Sequence, residues 1–116
     1  GRESGNWVDL NFLGHQLVLH RVERAAWDET NTNPVDGEHV PVPHFGVVLD
    51  WDVFELLTEQ LATQKCDFVI PPITRFEGRV GEQRTCFLRD PSGNCLEFKT
   101  FRQPDRLFAT DRDAYQ

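Results

Sequence analysis

Residues 87–99 read FLRDPSGNCLEFK, and this stretch decides the fold. Pro91, Gly93 and Asn94 stand where a tight turn accepts them, and hydrophobic residues recur on both sides of the turn. The pattern predicts two strands, TCFLRD and CLEFKTF, joined by the turn DPSGN. Between Leu96 and Phe98 the second strand carries a carboxylate, Glu97, and the surroundings of that carboxylate bear on function.

Side chains on the second predicted strand alternate between its two faces. The face predicted to pack under a helix carries Leu96, Phe98 and Thr100. The opposite face carries Cys95, Glu97, Lys99 and Phe101. A carboxylate inside a concave sheet needs a partner, because burying an unpaired charge is costly. A metal cation, Lys99 or an arginine would each serve, whereas a carboxylate on a solvent-facing strand would need none.

The second half of the chain is predicted to fold as a strand, a helix and three strands. The run HFGVVLDW at 44–51 is β-rich, and Asp52 with Glu55 has the spacing of a helix capping box. A helix is predicted from Val53 to Gln64, and its core-facing stripe comprises Val53, Phe54, Leu57 and Leu61. The run DFVIPP is predicted to be a short strand that Pro71 and Pro72 end, and residues 73–84 a polar loop.

The first half is simpler, with two alternating runs at 6–13 and 15–22 that predict an antiparallel hairpin turning at Gly14. The segment FLGHQLVLHRV aligns with PSGNCLEFKTF, glycine on glycine, which suggests two copies of one unit. Residues 23–43 are rich in proline and polar residues and are predicted to be a linker loop. Residues 102–116 are charged and aperiodic and are predicted to be a tail.

These motifs resemble the vicinal oxygen chelate superfamily, which includes glyoxalase I, bleomycin resistance proteins and extradiol dioxygenases. LRDPSGNCLEF resembles its D-P-x-G-N-x-L/I-E signature, and PVPHFGVVLDWDVFELLTEQL resembles the opening strand and helix of a module. The phrases WVDLNFLGHQLVLH and VPVPHFGV resemble the small extradiol-dioxygenase-like members. The likeness spans roughly residues 6–101. It implies an α+β fold of paired βαβββ modules that form an open curved sheet, with 6–22 as an incomplete first module and 44–101 as the second.

The resemblance also implies a divalent metal site. His44 matches the ligand on the first strand of the second module, and Glu97 matches the ligand on its last strand. The equivalent position in the first module falls on Val18, so His20, on the same face, is the candidate third ligand. Two imidazoles and a carboxylate suit Fe²⁺ for dioxygenase chemistry, which is the first expectation. The same ligands would hold Zn²⁺ or Ni²⁺ for the proton transfer of a glyoxalase-type lyase, the second expectation, and would also accept Mn²⁺. Each residue also has a purely structural interpretation. His44 would be a strand-edge histidine, Glu97 a solvent-facing carboxylate, and His20 a hydrogen-bonded residue of the cleft.

Arg75, Arg84 and Lys99 are candidate substrate-binding residues. The two arginines flank the loop FEGRVGEQR, where they would clamp an anionic substrate or simply keep the loop soluble. The expected substrate is a small molecule with adjacent oxygen atoms that chelate the metal. The alternative function is metal-free binding of a bleomycin-type drug on the same fold, for which the acidic chain would suit a cationic ligand.

Composition and charge bear on which classes of partner the chain has. The formal charge of −7 comes without a basic stripe, which argues against nucleic acid. No apolar run reaches the length of a membrane span, and the odd set of three cysteines argues for a reducing cytoplasm. The chain begins Gly1-Arg2-Glu3 and contains no methionine, so we expect the natural chain to begin upstream. An incomplete first module leaves strand edges open, which predicts a homodimer.

Overall fold

The computed structural model describes residues 1–23, 31–35 and 37–108. Within these residues the strands are β1 (Trp7–Phe12), β2 (His15–His20), β3 (Thr32–Val35), β4 (Glu38–Pro41), β5 (Phe45–Leu49), β6 (Phe68–Arg75), β7 (Gln83–Arg89) and β8 (Cys95–Phe101). The helix α1 (Trp51–Thr63) follows β5, and a 3₁₀ turn spans Pro104–Arg106. The second half therefore folds as the predicted βαβββ unit, and the chain is α+β.

The second half forms one mixed sheet in the order β5-β8-β7-β6. β5 runs parallel to β8, and β8, β7 and β6 are antiparallel neighbours. This order places the first and last strands of the unit side by side in the sheet. The two ends of the βαβββ unit thus meet although about fifty residues separate them in the sequence.

β6 runs through Pro71 and Pro72 to Arg75, so the prediction that these prolines end the strand was wrong. The strand tolerates them because it forms an edge of the sheet, where one side of the backbone has no neighbouring strand. Its pairing with β7 shifts register between Ile70 and Ile73, across the two prolines. Because proline has no backbone N–H group, its position at such an irregularity costs the sheet few hydrogen bonds.

The first half contains two antiparallel hairpins, β1–β2 and β3–β4. The hairpin β1–β2 agrees with the sequence pattern. The linker prediction for 23–43 was wrong over Thr32–Val35 and Glu38–Pro41, which form β3 and β4; residues 24–30 lie outside the described residues. Val40 explains the strand, because it is buried against Ile70 and Phe87 on the main sheet. Tertiary packing of this kind overrides a weak local pattern.

The helix begins at Trp51, two residues earlier than predicted. Its N-cap is Asp50, not Asp52, and the Asp50 side chain makes no capping hydrogen bond. The core-facing stripe is centred on Phe54, which is fully buried, and on Thr58, whose hydroxyl donates to the Phe54 carbonyl oxygen at 3.0 Å. Val53 is exposed, so its predicted place in the core was wrong. In the described part of the chain no helix is long and apolar enough to cross a membrane.

The two faces of the main sheet have different surroundings. On one face, the helix covers Cys86 and Phe98 through Phe54. The other face packs Phe87 and Cys95 against Val40 and Ile70 at one end. Towards the other end this second face is open and forms a groove. The alternation predicted for β8 is therefore confirmed, with Phe98 under the helix and Cys95 on the opposite face.

Candidate metal centre

The turn DPSGN sets the register of β8. The Asp90 carboxylate accepts hydrogen bonds from the backbone N–H of Ser92 at 2.9 Å and from the backbone and side-chain N–H of Asn94, each at 2.8 Å. Gly93 has a φ of 89°, which favours glycine. The turn thus pairs Arg89 with Cys95 and Phe87 with Glu97. Glu97 consequently lies on the groove face, since Phe87 belongs to that face.

The parallel pairing of β5 with β8 brings His44 to Glu97. Gly46 is the register partner of Glu97, so the side chain two residues before Gly46 lies on the same face. The His44 Nε2 atom is 3.4 Å from Oε1 of Glu97. The proximity inferred from the sequence for these two residues is what the structure shows, while their role as ligands stays a prediction.

Hydrogen bonding sets the tautomer of His44. Its Nδ1 lies 2.9 Å from the carbonyl oxygen of Pro41, an atom that only accepts hydrogen bonds. Nδ1 therefore carries the proton, and in the neutral ring Nε2 presents a lone pair. The Phe87 ring packs edge-on to the imidazole with centroids 5.0 Å apart, which restricts its rotation.

A lone pair on Nε2 directed at a carboxylate oxygen places two acceptors face to face. This arrangement is favourable only with a cation between the two atoms or with a second proton on the imidazole. A ring N–H bonded to a backbone carbonyl, with the other nitrogen free, is also the usual setting of a metal-ligating histidine. His44 and Glu97 therefore supply two donors of the kinds that a divalent metal accepts.

Glu97 is held by two further groups on its other oxygen. The Thr85 hydroxyl donates a short hydrogen bond to Oε2, and the Lys99 Nζ atom lies 3.5 Å from the same oxygen. The Glu97 side chain retains 14% of its exposure and the Lys99 side chain 26%. The carboxylate is thus oriented from below by a buried hydroxyl and bordered by an ammonium at the groove surface.

The groove that contains these groups has a volume of about 420 Å³. Its walls come from β5, β7, β8 and the residue after the 3₁₀ turn, and the lining residues are His44, Phe45, Gly46, Val47, Val48, Gln83, Glu97, Lys99, Phe101 and Leu107. A volume of this size accommodates a small organic molecule. Glu97 and Lys99 supply the fixed charges of this lining, and most of the rest is apolar.

Comparison with solved structures places the fold in a family. The crystal structure of a glyoxalase/bleomycin resistance protein/dioxygenase from Alicyclobacillus acidocaldarius is similar with a TM-score of 0.74 and 32% sequence identity. The similarity covers 93% of this chain and 76% of that chain. The chain belongs to the glyoxalase/bleomycin resistance protein/dioxygenase superfamily. Comparison with protein-family models gives no match, and comparison with curated proteins gives none.

The structure does not bring His20, the third ligand suggested by the superfamily pattern, to Glu97. His20 pairs with Trp7 on one face of the hairpin β1–β2 and is exposed. The opposite face carries Phe12, which packs against the Phe45 and Phe98 rings with centroids 6.5 and 6.2 Å apart. In the residues described, no three His, Cys, Asp or Glu side chains form a group that would hold a metal.

The three candidate substrate-binding residues have different positions. Lys99 lines the groove. Arg84 lies on the helix face, where it forms an ion pair with Glu55 and stacks 5.5 Å from the Phe54 ring centroid, so the structure does not bring it to the groove. Arg75 pairs with Gln83 at the end of the groove face, and its Nε and Nη2 atoms are buried with no hydrogen-bond partner in the described part of the chain.

Sequence reasoning missed two residues that shape this candidate site. Thr85 is fully buried beneath Glu97, and Gly46 lets the backbone of β5 lie against that of Glu97. The alternation of β7 could have placed Thr85 on the groove face, but its pairing with β8 depends on a register that only the turn determines. Cys95 shares this face, and burial raises the pKa of its thiol, which keeps it protonated.

Proposed function

We propose that this chain is a metal-dependent enzyme of the superfamily, of the extradiol dioxygenase type, with His44 and Glu97 as metal ligands. The observation that supports the proposal is the approach of His44 Nε2 to Glu97 Oε1 at 3.4 Å, with Nδ1 committed to Pro41. When bound, a divalent metal, with Fe²⁺ the first candidate and Zn²⁺, Ni²⁺ or Mn²⁺ as others, would supply Lewis-acid or dioxygen chemistry to a substrate with adjacent oxygen atoms.

The residues of this chain have separate parts in that proposal. The Pro41 carbonyl and the Phe87 ring hold the His44 imidazole in one orientation. The Thr85 hydroxyl fixes the Glu97 carboxylate. The apolar walls of the groove, such as Val48 and Phe101, would contact the substrate. Preorganised ligands and a shaped groove are what a protein contributes to a metal centre of this kind.

A complete centre in this proposal includes His20, supplied by a second copy of the chain. The hairpin that carries His20 also exposes Leu10, Val18 and Leu19, apolar side chains that an interface would cover. We therefore propose a homodimer in which hairpin β1–β2 of one copy borders the groove of the other. Light scattering across a wide concentration range tests this part, and a monomer at every concentration would contradict it.

The metal proposal is tested by elemental analysis of purified protein and of three variants. We expect near-stoichiometric metal in the wild type and loss of most of it in His44→Ala and Glu97→Ala. His15→Ala, which removes an exposed imidazole of the hairpin, is the matched control and should keep its metal. Equal, substoichiometric metal in the wild type and in both ligand variants would rule out the enzyme proposal.

The second candidate function is metal-free binding of a cationic, bleomycin-type drug. The specific observation in its favour is that Lys99 and Thr85 already provide Oε2 of Glu97 with a charge partner and a donor. The net charge of −7 also suits a cationic ligand. Calorimetric titration of bleomycin into metal-free protein discriminates the two functions, since this candidate requires binding that survives a chelator.

A further inference from the structure

The two oxygens of Glu97 face different groups. Oε1 lies 3.4 Å from Nε2 of His44, and Oε2 lies 3.5 Å from the Lys99 ammonium. Lys99 and Glu97 are two residues apart on one strand and share its face, so the ammonium reaches the carboxylate without leaving the groove. Lys99 therefore balances the charge of Glu97 in the protein as it stands.

Among the described residues that line the groove, Lys99 has no carboxylate to pair with other than Glu97. His44 directs Nε2 towards that same carboxylate, because its Nδ1 lies against the Pro41 carbonyl oxygen. About a quarter of the Lys99 side chain remains exposed. A cation bound to Glu97 would be only a few ångströms from Nζ, where like charges repel appreciably at a half-buried site.

We infer that Lys99 is a resident counter-ion that competes with the metal for Glu97 and that the ammonium moves away from Oε2, within the groove, when a divalent ion binds. This inference rests on the proposed metal site. A lysine side chain is flexible enough for that movement, since its compact ammonium group is attached to a flexible chain of four methylene groups. The released ammonium then faces the substrate volume and receives an anionic oxygen, which assigns the substrate to molecules that bear an acid group or a dissociated hydroxyl.

The competition is tested by calorimetric titration of Zn²⁺ alone into the full chain and three variants. Lys99→Gln removes the charge, and we expect it to bind Zn²⁺ about tenfold more tightly than the wild type, as loss of one half-buried charge contact implies. Lys99→Arg keeps the charge and should keep the wild-type affinity. Lys65→Gln removes the chain's other lysine, which is exposed in the α1–β6 connection, and should bind as the wild type does.

A measurement on the unaltered protein tests the movement. With lysine labelled at its ¹³Cε, the chain gives signals from Lys65 and Lys99, and Zn²⁺ should shift the Lys99 signal and leave that of Lys65 in place. Equal Zn²⁺ affinity in the wild type and Lys99→Gln, or an unmoved Lys99 signal in the loaded protein, overturns the inference while the metal site stands. Failure of every variant to bind Zn²⁺ overturns the metal proposal and this inference with it.

Discussion

Replacing Gly46 by alanine tests the geometry that brings the two halves of the candidate site together. Gly46 lies opposite Glu97 in the parallel β5–β8 pairing. A Cβ atom built on Gly46 would lie 1.9 Å from the carbonyl oxygen of Glu97 and 2.7 Å from its carbonyl carbon, where ordinary contact begins at 3.4 Å. Both obstructing atoms belong to the backbone of a central strand, so no side-chain rotation relieves the overlap.

The cost follows from what must move. Separating β5 from β8 locally loses about two ladder hydrogen bonds, each worth on the order of 1 kcal/mol net. Overpacking in a close-packed region adds roughly 1–3 kcal/mol. We expect Gly46→Ala to lower the free energy of unfolding by at least about 3 kcal/mol, a large share of the roughly 5–15 kcal/mol of a domain this size.

Urea unfolding followed by tryptophan fluorescence measures this loss. With a urea dependence typical of small domains, the midpoint should fall by about 1–2 M. Gly5→Ala is the matched control, because a Cβ at Gly5 meets nothing within 4 Å. A Gly46→Ala protein whose unfolding free energy lies within about 0.5 kcal/mol of the wild type, the range of a neutral surface change, would show that the close β5–β8 approach is misjudged.

Two further predictions concern titratable groups. Iodoacetamide at pH 8 should modify Cys66 in the folded protein but neither Cys86 nor Cys95. Burial raises the pKa of the Cys86 thiol to about 11 and also raises that of Cys95, so both remain in the unreactive thiol form. Peptide mass mapping measures the modification, and equal rates at all three cysteines would contradict this prediction. Hydrogen bonding to the backbone N–H of Arg2 holds the pKa of the Asp9 carboxyl below its usual 3.8, so Asp9 stabilises the fold above that pH and loses its contribution as the pH falls through the lowered pKa. Thermal melts should therefore show that Tm decreases less between pH 6 and pH 3 in Asp9→Asn than in the wild type. Equal decreases in Tm would contradict the assignment.

The parts of the fold that could be predicted from the sequence are those that local chemistry determines. The turn at 90–94 has Asp90 and Gly93 in positions that few other residues occupy well, and it sets which face of β8 carries Glu97. Helix α1 shows its buried stripe through Phe54 and Leu57. From these two features and the family resemblance, the proximity of His44 to Glu97 followed.

The parts that could not be predicted depend on contacts between distant residues. β6 continues past Pro71 only because it forms an edge of the sheet, and strand order is not visible in a local pattern. β4 is a strand because Val40 packs on the main sheet. Arg84 was considered for the groove, yet its partner Glu55 lies 29 residues away on the helix. In each case the deciding partner is remote in sequence, so local alternation carried no signal of it.

The same centre shows where a resemblance has to be checked against geometry. The family pattern pointed to His20 through its position on the hairpin, but pairing with Trp7 turns it to the face away from Phe12. Thr85 had no place in the pattern and yet donates to Glu97. A signature motif identifies the strand ends that hold a site, whereas the groups that orient each ligand depend on the particular register of neighbouring strands.

The two prolines of β6 have a consequence for association between molecules. Consecutive N–H groups of a strand point to opposite sides, so Pro71 and Pro72 leave one gap towards β7 and one on the outer edge. A foreign strand laid along β6 would meet an interrupted template, while β5, at the opposite end of the sheet order, has no proline between Phe45 and Leu49. Strand addition to the main sheet is thereby favoured along β5 over β6, so a partner that extends this sheet would do so next to the strand that leads out of His44.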